Sequence, residues 1–124
     1  DHLKSINDQL GHYAGDQIII AVAETCRTQF RKTDSAYRFG GDEFVIALPG
    51  VEHSQAVEFA EYLCDCFYTE LQKYAVNGLF ATVSIGVASI EPLDKSYEET
   101  LKRADAALYQ AKRNGKNRVI SNTA

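Results

Sequence analysis

The sequence predicts an α+β domain, with helices covering one face of a mainly antiparallel sheet. Three observations predict it. Apolar residues recur at helical spacing in three stretches and in short β-type runs elsewhere, and the two kinds alternate along the chain. The 124 residues are 45% hydrophobic and 24% charged, the balance of an ordinary globular domain with one core. No linker, repeat or low-complexity tract interrupts residues 1–124, so one domain is expected.

The elements follow in order. In "GDQIIIAVAETCRTQF", Ile18, Val22, Cys26 and Phe30 stand four apart, which predicts a helix, with Asp16 at its N-cap. The residues before it read as a polar lead-in. "SAYRF" and "FVIALP" flank "GGDE", a hairpin signal ended by Pro49 and Gly50. Ser54 is placed to cap a second helix striped by Val57, Ala60, Cys64, Phe67 and Leu71. "VNG" marks a turn, and "LFATVSIGVASI" predicts a strand through its β-branched residues. Ser96 with Glu99 has the capping-box spacing before a third helix carrying Leu101, Ala104, Leu108 and Ala111, which stops near Gly115. "NRVIS" predicts a last short strand.

The chain starts at Asp1 and contains no Met, so a piece of a longer protein is expected, cut before residue 1. With one strand just upstream, the order becomes a ferredoxin-like β-α-β-β-α-β core with a further helix and strand. No apolar run approaches a membrane span and no signal peptide is visible. Cys26, Cys64 and Cys66 fit no zinc or redox spacing, so reduced thiols in a cytoplasmic protein are expected, the first two in the core. The net charge of -4 argues against a nucleic-acid duplex as partner, which needs a basic face, and leaves a small nucleotide open.

Three clusters carry chemistry. Asp42 and Glu43 follow Gly40 and Gly41 on the predicted turn. There, both carboxylates can reach one hard cation, and a ligand can approach backbone that lacks side chains. Asp1 to Asp16 gather Lys4, Asn7, His12 and Asp16. Asn and Asp can read the edge of guanine, and Lys4 offers a point charge for phosphate. Lys112, Arg113 and Lys116 crowd the end of the third helix. They either complement its dipole or clamp a triphosphate.

These clusters occur together and in order. "RFGGDEF", "INDQLGHYAGD", "VSIGVA" and "ADAALYQAKRNGKNR" resemble the successive blocks of the GGDEF family, the diguanylate cyclases, over essentially residues 1 to 122. The resemblance implies a fold of the GGDEF/nucleotidyl cyclase type with its first strand upstream of this chain. It implies condensation of two GTP into cyclic di-GMP with Mg²⁺ or Mn²⁺. Asp42, Glu43 and Lys4 would be catalytic, Asp42 and Glu43 would hold metal, and a further metal-binding Asp is expected upstream of residue 1. Asn7, His12, Asp16, Gly40, Gly41, Lys112 and Lys116 would bind the substrate. "RKTD" matches the family's R-x-x-D product-binding inhibitory site, so Arg31 and Asp34 would bind cyclic di-GMP, although Tyr62 stands where a second Arg is often found. A homodimer for catalysis is implied, with a fused sensory or receiver domain upstream. The setting would be the cytoplasm, including the cytoplasmic part of a membrane-anchored bacterial sensor. The alternative is a degenerate module that senses GTP or cyclic di-GMP; the intact "GGDEF" favours the enzyme.

Overall fold

Gly11 organises the start of the chain. In the computed structural model, which describes residues 1–122, Leu3–Leu10 forms helix α1 and His12–Gln29 forms helix α2. Gly11 between them has φ 86°, a left-handed conformation that only glycine adopts without a Cβ clash. Its N–H donates to the Asn7 carbonyl at 2.6 Å and closes α1. The expected polar lead-in is therefore a helix. Asp16 lies inside α2, past its first turn, and so does not cap it. α1 packs on α2. The stripe Ile18, Val22 and Cys26 is buried as expected.

Ser35–Arg38 (β1) and Phe44–Ala47 (β2) pair antiparallel, with Arg38 opposite Phe44, which is the expected hairpin. Helix α3 runs His53–Leu71. It begins one residue before Ser54, which therefore sits in the first turn and not at the cap. Ala60, Cys64, Phe67 and Leu71 of its expected stripe are buried, joined by Leu63. The turn at Val76–Leu79 closes through reciprocal backbone bonds of 2.7 and 2.8 Å, with Asn77 and Gly78 both at positive φ.

The strand expected over Leu79–Ile90 is only Ile85–Val87 (β3). Among the described residues it pairs with Val119–Ser121 (β4), in parallel. A β-branched run becomes a ladder only where a neighbour takes its bonds. The described residues thus hold one antiparallel and one parallel strand pair. Helix α4, Tyr97–Arg113, packs on both strands. A Cβ on Gly86 would collide with the backbone of Ala104 and Leu108, so this glycine lets α4 lie directly on β3. The capping box does not form. Ser96 makes no side-chain cap bond, and Glu99 instead accepts the Lys95 N–H at 2.9 Å.

Two compact units result. One contains Asp1–Gly50 and Asp65–Thr82, and the other contains Val51–Cys64 and the chain from Val83 onward. The first holds fully buried Ile6, Cys26, Phe67 and Leu71, and the second holds Leu63. Cys26 and Cys64 are buried as expected, and neither is in a disulfide. Burial pushes the Cys26 thiol up to about 11, so it stays protonated and inert. Among the described residues, no helix is long and apolar enough to cross a membrane.

Candidate active site

The hairpin turn carries four of the expected residues. Residues 39–43 connect β1 to β2, closed by the Phe39 N–H donating to the Glu43 carbonyl at 2.8 Å. Gly40, Gly41, Asp42 and Glu43 are all exposed. Among the described residues, neither carboxylate is in an ion pair, so both are free to meet a ligand. No cluster of three or more His, Cys, Asp or Glu forms a metal site among the described residues. Arg38, at the end of β1, donates through Nε and Nη2 to the carbonyls of Gly40 and Gly41.

Not every glycine of the chain needs to be one for the same reason. Gly11, Gly50, Gly78 and Gly115 occupy left-handed backbone. Gly15 and Gly86 would drive a Cβ into neighbouring atoms. Gly40 and Gly41 do neither. Their φ is not positive, and a Cβ on Gly40 would come no closer than 3.8 Å to Glu43, while one on Gly41 would meet nothing within 4 Å.

The α1–α2 pair carries the next group. Lys4 and Asn7 stand three apart on α1 and so share a face. Asn7 is half-buried, and its amide packs against Gly15 of α2, where a Cβ would lie 2.8 Å from Cγ. Among the described residues, its buried carbonyl oxygen Oδ1 has no hydrogen-bond partner. A buried acceptor left without a donor is costly. His12 opens α2 and Asp16 follows Gly15, both exposed. Sequence reasoning named Asn7 and Asp16 and missed Gly15, whose small size lets the Asn7 amide pack against α2.

Lys112 and Lys116 belong to the second unit. Lys112 is exposed in the last turn of α4. Lys116 follows at φ 66°, left-handed for a residue with a side chain, with its N–H bonded to the Ala111 carbonyl at 3.0 Å. Among the described residues neither is in an ion pair, so both charges stay available.

Arg31 and Asp34, expected to bind product, are bonded to each other. The Arg31 backbone N–H reaches Asp34 at 2.9 Å and Nη2 reaches it at 2.6 Å, while Nη2 also donates to the Pro49 carbonyl at 2.9 Å. The Arg31 guanidinium holds the Asp34 carboxyl below the usual carboxylate range. Tyr62 is half-exposed on α3. The second unit holds a tighter hub that sequence reasoning did not find. Asp94 accepts from both Arg103 Nη atoms at 2.7 Å, from the Glu91 N–H at 2.8 Å and from the Thr100 hydroxyl at 2.7 Å. Arg103 also donates to the Ser89 carbonyl at 2.8 Å. A lone acid in a loop gives no periodic signal.

The family described as diguanylate cyclase, GGDEF domain, matches residues 1–118. The chain belongs to the GGDEF family. This GGDEF domain is 42% identical over 122 residues to diguanylate cyclase DgcM of Escherichia coli K12, covering 98% of the chain and 28% of that protein. It is 38% identical over 119 residues to diguanylate cyclase A of Treponema denticola, covering 96% and 32%. The chain thus spans under two thirds of these curated relatives. The active GGEEF domain of a diguanylate cyclase from Vibrio cholerae superposes with a TM-score of 0.91 at 31% identity, covering all of the chain and 78% of that one. The GGDEF domain of DgcB from Caulobacter crescentus, solved in complex with c-di-GMP, gives 0.85 at 33% identity, covering all of the chain and 74% of that one. The alternating strands and helices of this GGDEF domain are those of its solved relatives, so the expected fold type holds.

Proposed function

We propose that this GGDEF domain condenses two molecules of GTP into cyclic di-GMP and releases two pyrophosphates. The observation that carries the reading is the pair Gly40–Gly41. The chain has neither a backbone nor a packing need for glycine at these positions. The need then lies with what approaches the turn, and a nucleotide lying against bare backbone supplies it. The names of the relatives as diguanylate cyclases support the same activity.

The reaction joins the 3′-oxygen of one GTP to the α-phosphorus of the other as the bond to pyrophosphate breaks. The 3′-hydroxyl loses its proton toward the Asp42 carboxylate. Asn7 and Asp16 hold the guanine, with His12 beside it. The Asn7 amide donates to an acceptor on the base edge, and the Asp16 carboxylate accepts from its N1 and N2 hydrogens. Lys4 offsets the charge of the phosphates. Mg²⁺ commonly takes one or two carboxylates and completes its shell with water and substrate phosphates, a demand that the adjacent exposed acids Asp42 and Glu43 fit. Mn²⁺ accepts the same oxygen donors. When bound, the metal would stabilise charge on the reacting oxygens.

One domain presents one GTP, so turnover needs a second copy across a two-fold axis. We place this domain in the cytoplasm, within a longer bacterial protein whose sensory or receiver part controls that pairing. Arg31 and Asp34 would bind the product, and Arg31 must then exchange its bonds to Asp34 and Pro49 for bonds to guanine. The test is incubation of the full-length protein with GTP and Mg²⁺, followed by separation of the nucleotides. Cyclic di-GMP and pyrophosphate should appear, and Gly41→Ala should melt no lower than the wild type yet lose product. GTP left intact by dimeric wild-type protein would refute the activity.

A further inference from the structure

We propose that Arg38 is a positioning residue for this reaction, acting through the turn it ties down; the inference rests on the GTP-condensing reading above. Its Nε donates to the Gly40 carbonyl at 3.3 Å and to the Gly41 carbonyl at 3.2 Å, and its Nη2 donates to the Gly41 carbonyl at 2.6 Å. A peptide unit is planar and trans, so each carbonyl fixes the N–H of the next residue on the opposite side. With both carbonyls drawn to one guanidinium, the N–H groups of Gly41 and Asp42 face the other way. Among the described residues, neither has a backbone or side-chain acceptor. Two successive backbone donors on one side of a turn make a concavity suited to an oxyanion. The glycines leave that concavity open, since a Cβ on Gly41 meets no protein atom within 4 Å and Gly41 itself has none. We assign these donors to an oxygen of bound GTP that gains charge as the reaction proceeds. Donors held in advance need no reorganisation when that charge develops.

A bare loop could wander, and this one is not a regular turn held by its own ladder. The Phe39–Glu43 bond closes it from the strand side, and Arg38 holds the two central peptides. Lysine would not substitute, because its single ammonium cannot match the planar fork that reaches both carbonyls.

The experiment compares Arg38→Met with Arg38→Gln in the full-length protein. Met has similar length and no donor. Gln places its Nε2 at the same distance along the side chain as Arg Nε, so it can still donate to the carbonyls, without charge. Both residues are exposed substitutions on a strand end and should fold; melting curves check this. Arg38→Met is expected to lower kcat about 10- to 100-fold, by analogy with removal of oxyanion donors, with a much smaller change in KM. Arg38→Gln is expected to recover part of that loss. A second readout needs no turnover. In isotope-labelled protein without nucleotide, the amide signals of Gly41 and Asp42 should shift in Arg38→Met and return toward wild type in Arg38→Gln. Equal kcat in the two variants overturns the proposal, whether both match the wild type or both are equally impaired. Unmoved amide signals in Arg38→Met overturn it too. If wild-type protein makes no cyclic di-GMP, the proposed activity fails, and the amide signals still decide whether Arg38 sets the turn.

Discussion

Replacing Gly15 by alanine should separate nucleotide binding from stability. The new Cβ would lie 2.8 Å from Cγ and 3.0 Å from Nδ2 of Asn7, and closer still to Oδ1. Ordinary contact begins near 3.4 Å, so the Cγ must retreat by about 0.6 Å and the oxygen further. The obstacle is the tip of a side chain, which can turn aside, so the overpacking cost falls at the low end of about 1–3 kcal/mol. Against it, alanine in place of glycine inside α2 gains about 0.8–1 kcal/mol of helix propensity. The two nearly cancel. At 3–6 °C per kcal/mol for a chain of roughly this size, Tm should move by no more than about 6 °C. GTP affinity should change much more. An Asn7 amide swung off its place leaves a hydrogen bond to the base unmade, a loss of about 1–3 kcal/mol, or roughly 5- to 150-fold in Kd. Equilibrium titration with GTP, beside melting curves, measures both. Asn7→Ala should show the same loss, and the double variant should lose no more, because one substitution acts through the other. Wild-type affinity in folded Gly15→Ala would refute the reasoning, as would losses that simply add.

Other substitutions test other parts of the structure. Gly86→Ala meets the backbone of Ala104 and Leu108, which cannot turn aside, so it should destabilise by about 3 kcal/mol or more and show it as a large drop in Tm. Asp42→Ala and Glu43→Ala should each cut cyclic di-GMP synthesis at least about 100-fold while leaving the melting curve unchanged, since both side chains are exposed and unpaired; near-normal synthesis by either would count against the site. Arg31→Ala should abolish inhibition by added cyclic di-GMP and leave initial rates almost unchanged, read from progress curves; identical inhibition of variant and wild type would leave Arg31 a loop clip alone. Asp94 is held well below the usual carboxylate range, first by Arg103, then by the Glu91 N–H and the Thr100 hydroxyl. A depressed folded pKa means that its stabilisation is full above its unfolded pKa of about 3.9 and is lost as pH falls through that value toward the folded one. Asp94→Asn should therefore be less stable at pH 7 and show a shallower loss of Tm on acidification, and parallel Tm profiles would sink this account.

Much of the fold was legible because its signals are local. The α2, α3 and α4 stripes, the hairpin and the last strand all rest on residues a few positions apart. Helix α1 was missed although Leu3, Ile6 and Leu10 carry its spacing, because the polar residues between them read as a binding loop. Gly11 starts a second helix immediately, so a side chain such as Asp16 that resembled a cap was already interior. Composition predicts a longer strand over Leu79–Ile90 than forms, because β-branched residues report readiness to pair and pairing depends on a partner elsewhere in the chain. The candidate site residues are named by motif alone. Their mutual fit is not legible in the motifs. That Asn7 sits against Gly15, that Arg31 spends its donors on Asp34 and Pro49, and that Arg38 grips two carbonyls are all matters of distance.

The bare turn at Gly40 and Gly41 also says something about how the chain could drift. At backbone a larger residue can adopt, replacing glycine by alanine typically stabilises by about 0.4–1 kcal/mol, through a less disordered unfolded state. Neither position resists it from within. Under selection for heat resistance alone, both glycines are therefore vulnerable, and the signature would erode while the fold improved. Their persistence would mark a lineage still held to its chemistry, and their loss in a homologue would be the early sign of a domain kept for its shape.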